Sequence, residues 1–413
     1  MSAPGASSNG NAPKPSPERP GLRPLDALLA VLAVLNLVVA GLYLVPVWQA
    51  TGTGASLTDR PDFTAFWAAG GLALEGRGAE AYDWALARAA QGEALGVVMA
   101  SDLPFLHPPP MLAVFAPFAA LPFWPAMALW TVLTAAAFAI ALWQVLPGAR
   151  TLVAAAAAAP TLLVVAGGQT GFLTAALLAV AVRAAVLRPR PAVAGPVLAL
   201  LALKPTLLAA LPVALIAGGR WQSLSVAAAV GLALAGLSAA VFGAAAWSGF
   251  ADGIARAVAG LAGSAAGGDA FVQHATLNVT LFGLLRAVEI PSGPALAIHG
   301  FAGLAAVALT ARIWADPRVA PGLKAALVCY ATAIATPRLY PYETHVLLVG
   351  AAFQIAHARA AGFRPFEAAI LTAAYVANLL TSFVFPPLGC LVGWLLFGHC
   401  LQGAIGRKLP IHK

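Results

Sequence analysis

Long apolar runs recur along most of the 413-residue chain, and short polar stretches separate them. Four of the clearest runs cover residues 27–48, 126–146, 223–242 and 295–314. Each is long enough to cross a hydrocarbon core of about 30 Å at 1.5 Å per residue. The same length rule predicts about ten to twelve crossings, so the pattern indicates an all-α polytopic membrane protein.

The composition supports this fold class. Hydrophobic residues make up 61% of the chain and charged residues only 9%, whereas a soluble domain averages about 25% charged residues. The three cysteines all lie in apolar segments and lack CxxC spacing, which argues against a disulfide framework or a metal site.

The chain divides into one long apolar region with a polar segment at each end. Residues 1–24 are rich in Pro, Ser, Gly and Asn, which predicts a disordered cytoplasmic tail. Residues 25–406 are expected to form a single transmembrane domain whose first apolar run stays as an anchor, because no clear signal-peptide cleavage site follows it. Residues 407–413 are expected to be a cytoplasmic C-terminus.

Basic residues predict the orientation, since short cytoplasmic loops carry the excess of Lys and Arg. The tail and five further segments predicted inside hold 15 of the 23 basic residues. Eleven of the fifteen acidic residues fall in segments predicted outside. The loop 49–106 is the longest of these outer segments, and its apolar spacing predicts two helices lying on the membrane surface, near residues 63–76 and 79–96.

The topology requires one irregular segment. Four apolar segments between residues 108 and 187 cannot all be full crossings if both flanking assignments hold. We therefore expect one of them to be re-entrant or broken, near "HPPPM" (residues 107–111) or "AGGQTG" (residues 166–171). Such a break is tolerated only where protein encloses the freed backbone groups.

Polar side chains lie at several ends of apolar segments on the same predicted outer side. Ionisable residues in a membrane region indicate function, because they are costly to insert. Purely structural roles remain open for these residues: a lysine there could extend its ammonium to water, a histidine could cap a helix end, and an amide could form a hydrogen bond between two helices. The polar residues concerned are His107, Gln169, Thr170, Lys204, Arg338, Tyr340, Tyr342, Glu343 and His345.

The motifs needed by several other chemistries are missing from the sequence. There is no HExxH or Cys/His cluster for zinc, no GxSxG elbow and no GxxxxGK[ST] loop. We therefore expect neither a metal nor another cofactor, and neither a soluble nucleotide donor nor a nucleic-acid partner. A lipid-borne donor fits better, with its chain among the apolar helices and its phosphate near Lys204 or Arg338.

Five segments resemble glycosyltransferase family 87, whose members are polyprenyl-phosphate-mannose-dependent mannosyltransferases of the GT-C membrane fold. In chain order they are "PDFTAFWAAGGLALEGRGAEAYD", "FLHPPPMLAVFAPFAALPFWPAMALW", "GGQTGFLTAALLA", "LALKPTLLAALPVALIAGGRW" and "ATPRLYPYETHVLL". The resemblance runs from about residue 27 to about residue 348. It implies a GT-C fold in the bacterial inner membrane, catalysis on the outer, periplasmic face, a polyprenyl-phosphate sugar donor, a glycolipid or glycan acceptor, and an acidic base in the first outer loop.

Carried onto this chain, the resemblance makes Asp62 the catalytic base, because it heads the D-F-x-x-F-W motif, whereas Asp59 lies outside it. The last motif departs from the family, whose members often carry an aromatic-His-His or an acidic residue there, so the role of His345 stays open. Lys204, His345 and Arg338 are the candidates for binding the donor phosphate. Candidates for binding sugar or acceptor are Phe66, Trp67, His107, Gln169, Tyr342 and Glu343, of which Phe66 and Trp67 could equally be membrane anchors.

Other functions remain as alternatives. A pentosyl or arabinofuranosyl transferase, or an O-antigen-type ligase, would use a similar lipid carrier. A secondary transporter is disfavoured, because it would show paired halves and charges at mid-depth. The polar residues of this chain instead cluster near one predicted side.

The topology can be tested by cysteine labelling in a chain that lacks Cys329, Cys390 and Cys400. With Glu80→Cys we expect labelling of intact cells by an impermeant reagent, and with Arg188→Cys only after the membrane is opened. Labelling of position 80 solely from inside would reverse the orientation.

Overall fold

The computed structural model describes residues 24–261 and 277–406. The expectations for the N-terminal tail up to residue 23 and for residues 407–413 lie outside these described residues. So does Asp269, one of the acidic residues assigned to the outside.

The described residues form eighteen α-helices, which are listed here in chain order. The first nine are α1 Pro24–Ala50, α2 Phe63–Leu74, α3 Trp84–Leu95, α4 Pro110–Ala119, α5 Phe123–Val145, α6 Ala149–Ala157, α7 Ala159–Gly167, α8 Gly171–Val182 and α9 Pro191–Leu201. The other nine are α10 Leu211–Ala217, α11 Trp221–Phe242, α12 Ala244–Leu261, α13 Leu281–Ala287, α14 Ser292–Ala315, α15 Pro321–Ala335, α16 His345–Ala361, α17 Glu367–Val384 and α18 Gly389–Gly406.

Short elements complete the chain. Four 3-10 helices cover Gly78–Tyr82, Pro205–Leu208, Pro341–Glu343 and Pro386–Leu388, and a π-helical turn, Arg183–Leu187, extends α8. Strands β1 (Ser56–Leu57) and β2 (Val98–Met99) pair in parallel and join the two ends of the first polar loop.

The structure confirms an all-α polytopic membrane protein. Six described helices are long and apolar enough to cross a membrane: α1, α5, α11, α14, α17 and the end of the chain from Pro386 to Gly406. The bent pair α6 and α7 would make a seventh. Three of the four apolar runs quoted from the sequence fall within one of the six, and the fourth, 126–146, extends one residue past the end of α5.

The length rule is met by fewer helices than the ten to twelve expected. Six further apolar segments of 10–17 residues are too short to cross a core of about 30 Å alone. Proline and glycine interrupt these apolar runs, as at Pro205, where α9 has ended and a 3-10 turn begins.

A broken segment lies where the topology required one. Helices α6 and α7 meet at an angle of 65°. Ala158 between them has an extended backbone (φ −72°, ψ 146°), and Pro160 follows at the start of α7. A broken segment between residues 108 and 187 is therefore present as predicted, but its bend is at Ala158, which lies in neither "HPPPM" nor "AGGQTG", the two places named for it.

Side chains from three helices satisfy the backbone carbonyls that this break frees. Asn36 of α1, Thr161 of α7 and Tyr375 of α17 donate hydrogen bonds of 2.6–3.1 Å to carbonyl oxygens within residues 154–158. A buried carbonyl without a partner is costly in an apolar environment. Asn36 is buried in the mostly apolar α1 helix, and its side-chain amide donates two of these hydrogen bonds to the carbonyls near the break.

Burial separates central helices from peripheral ones. In α15, every residue from 325 to 334 is buried, as expected for a helix that is apolar on all sides. In α11, only Ser223 and Ser238 are buried. The α11 helix therefore offers most of its apolar surface to the surroundings, as a lipid-facing helix does.

The first polar loop contains both expected helices, α2 and α3. The α2 helix is buried over most of its length and packs against α4, so it forms an inner layer of protein. Gly70 allows this contact, because a Cβ at that position would lie 2.6 Å from the backbone oxygen of Phe115. The α3 helix buries one face only, through Ala87, Gln91, Gly92 and Leu95.

We expect Gly70→Ala to lower the melting temperature of the detergent-solubilised protein, because overpacking against a backbone costs about 1–3 kcal/mol. Gly71→Ala is the matched control, since nothing lies within 4 Å of a Cβ at that neighbouring position. Equal melting temperatures for the two variants would contradict the close α2–α4 contact.

Candidate active site

The segment that joins α7 to α8, residues 168–170 (the Gln169 turn), lies at the centre of the candidate site. Gly168 has a left-handed backbone (φ +61°), and a Cβ there would meet Phe63 at 2.6 Å. Only glycine fits this position without strain. The indole of Trp130 donates to the Gly168 carbonyl at 3.0 Å, so the turn is held from α5 as well.

Asp62 lies immediately before α2 and faces this turn. Its side chain makes no capping hydrogen bond to the first N–H groups of α2. Instead the Gln169 amide Nε2 donates to Asp62 Oδ2. A structural helix cap was one reading of an aspartate at this position, but the carboxylate is directed to the turn between two other helices.

Lys204 contacts Thr170, the next residue of the same turn. Its ammonium donates to Thr170 Oγ1 at 3.1 Å and forms an ion pair of 2.6 Å with Glu343 Oε1. It also lies 5.4 Å from the centroid of the Tyr342 ring. The Lys204 side chain is only 14% exposed, so it is bound within the protein and does not snorkel to water.

Glu343 connects Lys204 to the loop that precedes α16. Its Oε1 pairs with Lys204, and its Oε2 accepts a 2.7 Å hydrogen bond from the backbone N–H of Tyr340. The side chain is 3% exposed. Both carboxylate oxygens thus have partners in this arrangement, which fixes the loop relative to Lys204.

Arg338, Tyr340 and Tyr342 continue the site along the same loop. Arg338 donates to the Tyr340 hydroxyl through Nε at 2.8 Å and Nη2 at 2.5 Å, and the Tyr340 and Tyr342 rings stack with centroids 5.4 Å apart. Burial raises the pKa of both tyrosines and outweighs the opposing effect of Arg338, while the charges of Glu343 and Asp62 raise the pKa further. Both hydroxyls are therefore neutral donors at physiological pH.

His345 is directed away from Lys204. Its ring lies between Phe138 and Phe172, at 5.0 Å from each ring centroid. Nδ1 is 3.1 Å from the Tyr342 carbonyl and Nε2 is 3.1 Å from Thr161 Oγ1. Both nitrogens are occupied by protein groups, which leaves none for a phosphate in this arrangement.

His107 contacts Leu203, the residue that precedes Lys204. Its Nδ1 donates to the carbonyl of Leu203 at 3.2 Å, and its own carbonyl accepts from the Tyr82 hydroxyl at 2.9 Å. Burial, followed by the charge of Lys204, lowers the pKa of His107 to about 4. The imidazole is therefore neutral near pH 7, and a neutral ring facing a carbonyl carries its proton on Nδ1.

The two aromatic candidates of the first loop contact protein. Phe66 is 5% exposed and stacks on Phe115 with centroids 4.7 Å apart. Trp67 is partly buried, and its indole donates to the Leu121 carbonyl at 3.0 Å. Phe66 has little ring surface left for a sugar in this arrangement, whereas part of Trp67 stays accessible.

An apolar cavity of about 550 Å³ lies among α1, α5, α6, α7 and α8. It includes Phe138, Thr161 and Phe172, which surround His345, and Met127, whose terminal methyl would lie 3.3 Å from a Cβ at Gly168. Met127 thus lies between the cavity and the Gln169 turn, whose own residues do not line the cavity. Trp124 also lines it, and its buried indole N–H has no hydrogen-bond partner among the residues that the structure describes.

A family model supplies the classification. The model of glycosyltransferase family 87 matches residues 105–337, which is more than half of the chain. The chain belongs to glycosyltransferase family 87. No curated protein and no solved structure matches it significantly. Family membership and the apolar helices together make the protein a membrane glycosyltransferase.

The family 87 match includes part of the site and omits part of it. His107, Gln169 and Lys204 lie inside the matched residues, whereas Asp62 and the loop from Arg338 onward lie outside. The structure nevertheless brings Asp62, Gln169, Lys204, Glu343 and the neighbouring loop around one turn. His345, Phe66 and His107 are placed around this group, and their substrate contacts stay predictions.

From the sequence, one residue of this candidate site, Thr170, had no assigned role, although it was noted as a polar residue beside Gln169 at the end of an apolar segment. Its hydroxyl accepts a hydrogen bond from Lys204, which is 34 positions away in the chain. Groups of three or more His, Cys, Asp or Glu side chains suited to a metal ion are absent from residues 24–261 and 277–406.

Proposed function

We propose that the protein transfers a sugar, with mannose as the first choice, from a polyprenyl-phosphate carrier to a hydroxyl of a glycolipid or glycan acceptor. The reaction is proposed for the outer, periplasmic face of a bacterial inner membrane, within a GT-C fold. The observation that carries the proposal is that a carboxylate, Asp62, and a cation, Lys204, bind the side chains of two consecutive residues of the Gln169 turn.

Asp62 acts as the general base in this proposal. It accepts the proton of the acceptor hydroxyl while that oxygen attacks the anomeric carbon from the face opposite the phosphate. The bond between the anomeric carbon and the phosphate oxygen breaks, and the polyprenyl phosphate leaves with both electrons. The configuration is inverted.

The carboxylates support inversion. A retaining double displacement needs a second carboxylate about 5 Å from the first. Glu343 is the other buried acid of the site, and its two oxygens bind Lys204 and the Tyr340 N–H. It is committed to a structural ion pair, so a single carboxylate serves the chemistry.

Cations stabilise the leaving phosphate in the proposal. An ammonium has three N–H donors, and Lys204 uses two of them on Glu343 and Thr170 among the described residues. The third is available for a phosphate oxygen, and Arg338 lies along the same loop as a second cation. Donors placed at developing charge contribute a large part of catalysis.

The apolar cavity supports a lipid-borne donor. It lies beside the Gln169 turn with Met127 between them, and its apolar lining suits the chain of a polyprenyl carrier.

The direct test is an assay of the purified protein in lipid nanodiscs with a panel of polyprenyl-phosphate sugars, followed by assignment of the anomeric configuration of the product. Transfer from one of these donors with inversion supports the proposal. Transfer from nucleotide sugars alone, or retention, overturns it.

We expect Asp62→Asn to lower kcat by at least ~10²-fold, the low end of general-base contributions, because asparagine keeps the shape but takes no proton at neutral pH. Asp59→Asn, three residues earlier and exposed, is the control and should keep near wild-type activity. A folded Asp62→Asn protein with wild-type kcat would refute the assignment of the base.

The role of Lys204 needs a charge-balanced variant. Lys204→Ala alone would leave the buried Glu343 unpaired, which costs about 3–5 kcal/mol of folding stability. We therefore compare Lys204→Met/Glu343→Gln, which removes both charges of the pair, with the wild-type protein. The double variant should raise the donor KM about 10- to 100-fold over this reference, because a hydrogen bond to a charged group contributes about 1.5–3 kcal/mol. An unchanged donor KM would leave Arg338 as the phosphate ligand.

A further inference from the structure

Three hydrogen bonds, linked through the covalent structure of Thr170 and the amide of Gln169, connect the proposed phosphate cation to the proposed base. Lys204 Nζ donates to Thr170 Oγ1 at 3.1 Å, and the Thr170 backbone N–H donates to Gln169 Oε1 at 3.2 Å. Gln169 Nε2 then donates to Asp62 Oδ2. Two consecutive residues thus contact both functional charges.

The donor and acceptor roles of these groups fix the orientation of the Gln169 side-chain amide. An ammonium only donates, so the Thr170 hydroxyl oxygen accepts. A backbone N–H also only donates, so the amide oxygen of Gln169 must face Thr170. The amide NH₂ is then turned towards Asp62, where an ionised carboxylate only accepts. The side chain of Gln169 has one orientation that satisfies both ends.

The Gln169 turn itself is rigid. Trp130 holds the Gly168 carbonyl, the Gln169 backbone N–H donates to the Val164 carbonyl at 3.1 Å, and Phe63 packs behind Gly168. Gln169 is 6% exposed and Thr170 is fully buried. Neither side chain can change its partner without moving packed helices.

We propose that Gln169 and Thr170 are positioning residues, which hold the base and the phosphate cation at a fixed separation across the Gln169 turn. This inference rests on the proposed function. Gln169 holds the Asp62 carboxylate in one orientation towards the acceptor, and Thr170 holds the Lys204 ammonium towards the donor. From the sequence, Gln169 was a candidate for binding sugar directly. A residue that only positions Asp62 is expected to have a different effect on the kinetics when it is replaced.

The two roles of Gln169 separate in kinetics. A residue that acts through Asp62 affects turnover, whereas a sugar contact also affects binding in the absence of the base. We expect Gln169→Met to lower kcat about 10- to 100-fold, the equivalent of losing a hydrogen bond to a charged group, with donor KM changed less than about 3-fold. Gln169→Asn, whose amide is one methylene too short to reach Asp62, should lose as much.

A double-mutant cycle with Asp62→Asn gives the decisive comparison. If Gln169 acts only through the base, Gln169→Met should cost less than about 3-fold in kcat in the Asp62→Asn background, because coupled residues are not additive. For Thr170 we expect the donor KM to rise about 3- to 10-fold in Thr170→Val and to recover in Thr170→Ser, which restores the acceptor oxygen. Gln222→Met, on the exposed start of α11, is the matched control and should behave as wild type.

The outcomes distinguish failure of the positioning role of Gln169 from failure of the proposed function, in which Asp62 is the base. A full additive loss in the Asp62→Asn background would make Gln169 a direct substrate contact and overturn positioning. Wild-type kcat in Gln169→Asn, or in Gln169→Met, would overturn it as well. Activity retained by Asp62→Asn itself would instead remove the proposed base and, with it, this inference. Melting temperatures of all variants separate these effects from loss of folding.

Discussion

The break between α6 and α7 is the constraint on which the site depends. A membrane protein can leave its helical hydrogen-bond pattern only where protein groups replace the lost partners. Asn36, Thr161 and Tyr375 supply them from three helices. After the bend α7 runs only to Gly167, where the left-handed Gly168 ends it, and the Gln169 turn lies among the helices. An unbroken helix through residues 149–167 would have no bend to bring this turn to Asp62.

The buried ion pair of Lys204 and Glu343 serves the site through its geometry. Replacing such a pair with apolar residues is often neutral or stabilising, so stability alone does not explain its presence. The pair instead joins the segment after α9 to the loop before α16, and it holds the ammonium against Thr170. In the proposed mechanism the ammonium of Lys204 is therefore already positioned for the donor phosphate.

The sequence predicted the fold class, the main apolar runs and the need for a broken segment, because these follow from length and charge. It also singled out Asp62, Gln169 and Lys204 as polar residues at the ends of apolar runs. It could not predict their partners. The contact between Gln169 and Asp62 spans 107 positions, and that between His345 and Thr161 spans 184. Such pairings depend on helix packing, which periodicity does not encode, and so Phe66 and His345 could be located but not oriented.

The proposed reaction keeps the total charge of this largely buried site constant. Asp62 and Glu343 carry two negative charges, and Lys204 and Arg338 carry two positive ones. During transfer Asp62 gains a proton and loses its charge, while the leaving phosphate gains one negative charge. The total charge of the site therefore stays constant, and one negative charge moves from Asp62 across the Gln169 turn towards Lys204. In a region of low dielectric constant, creating net charge is expensive, whereas moving a charge between prepared partners is not. A base and a cation bound to neighbouring residues of one rigid turn meet this requirement.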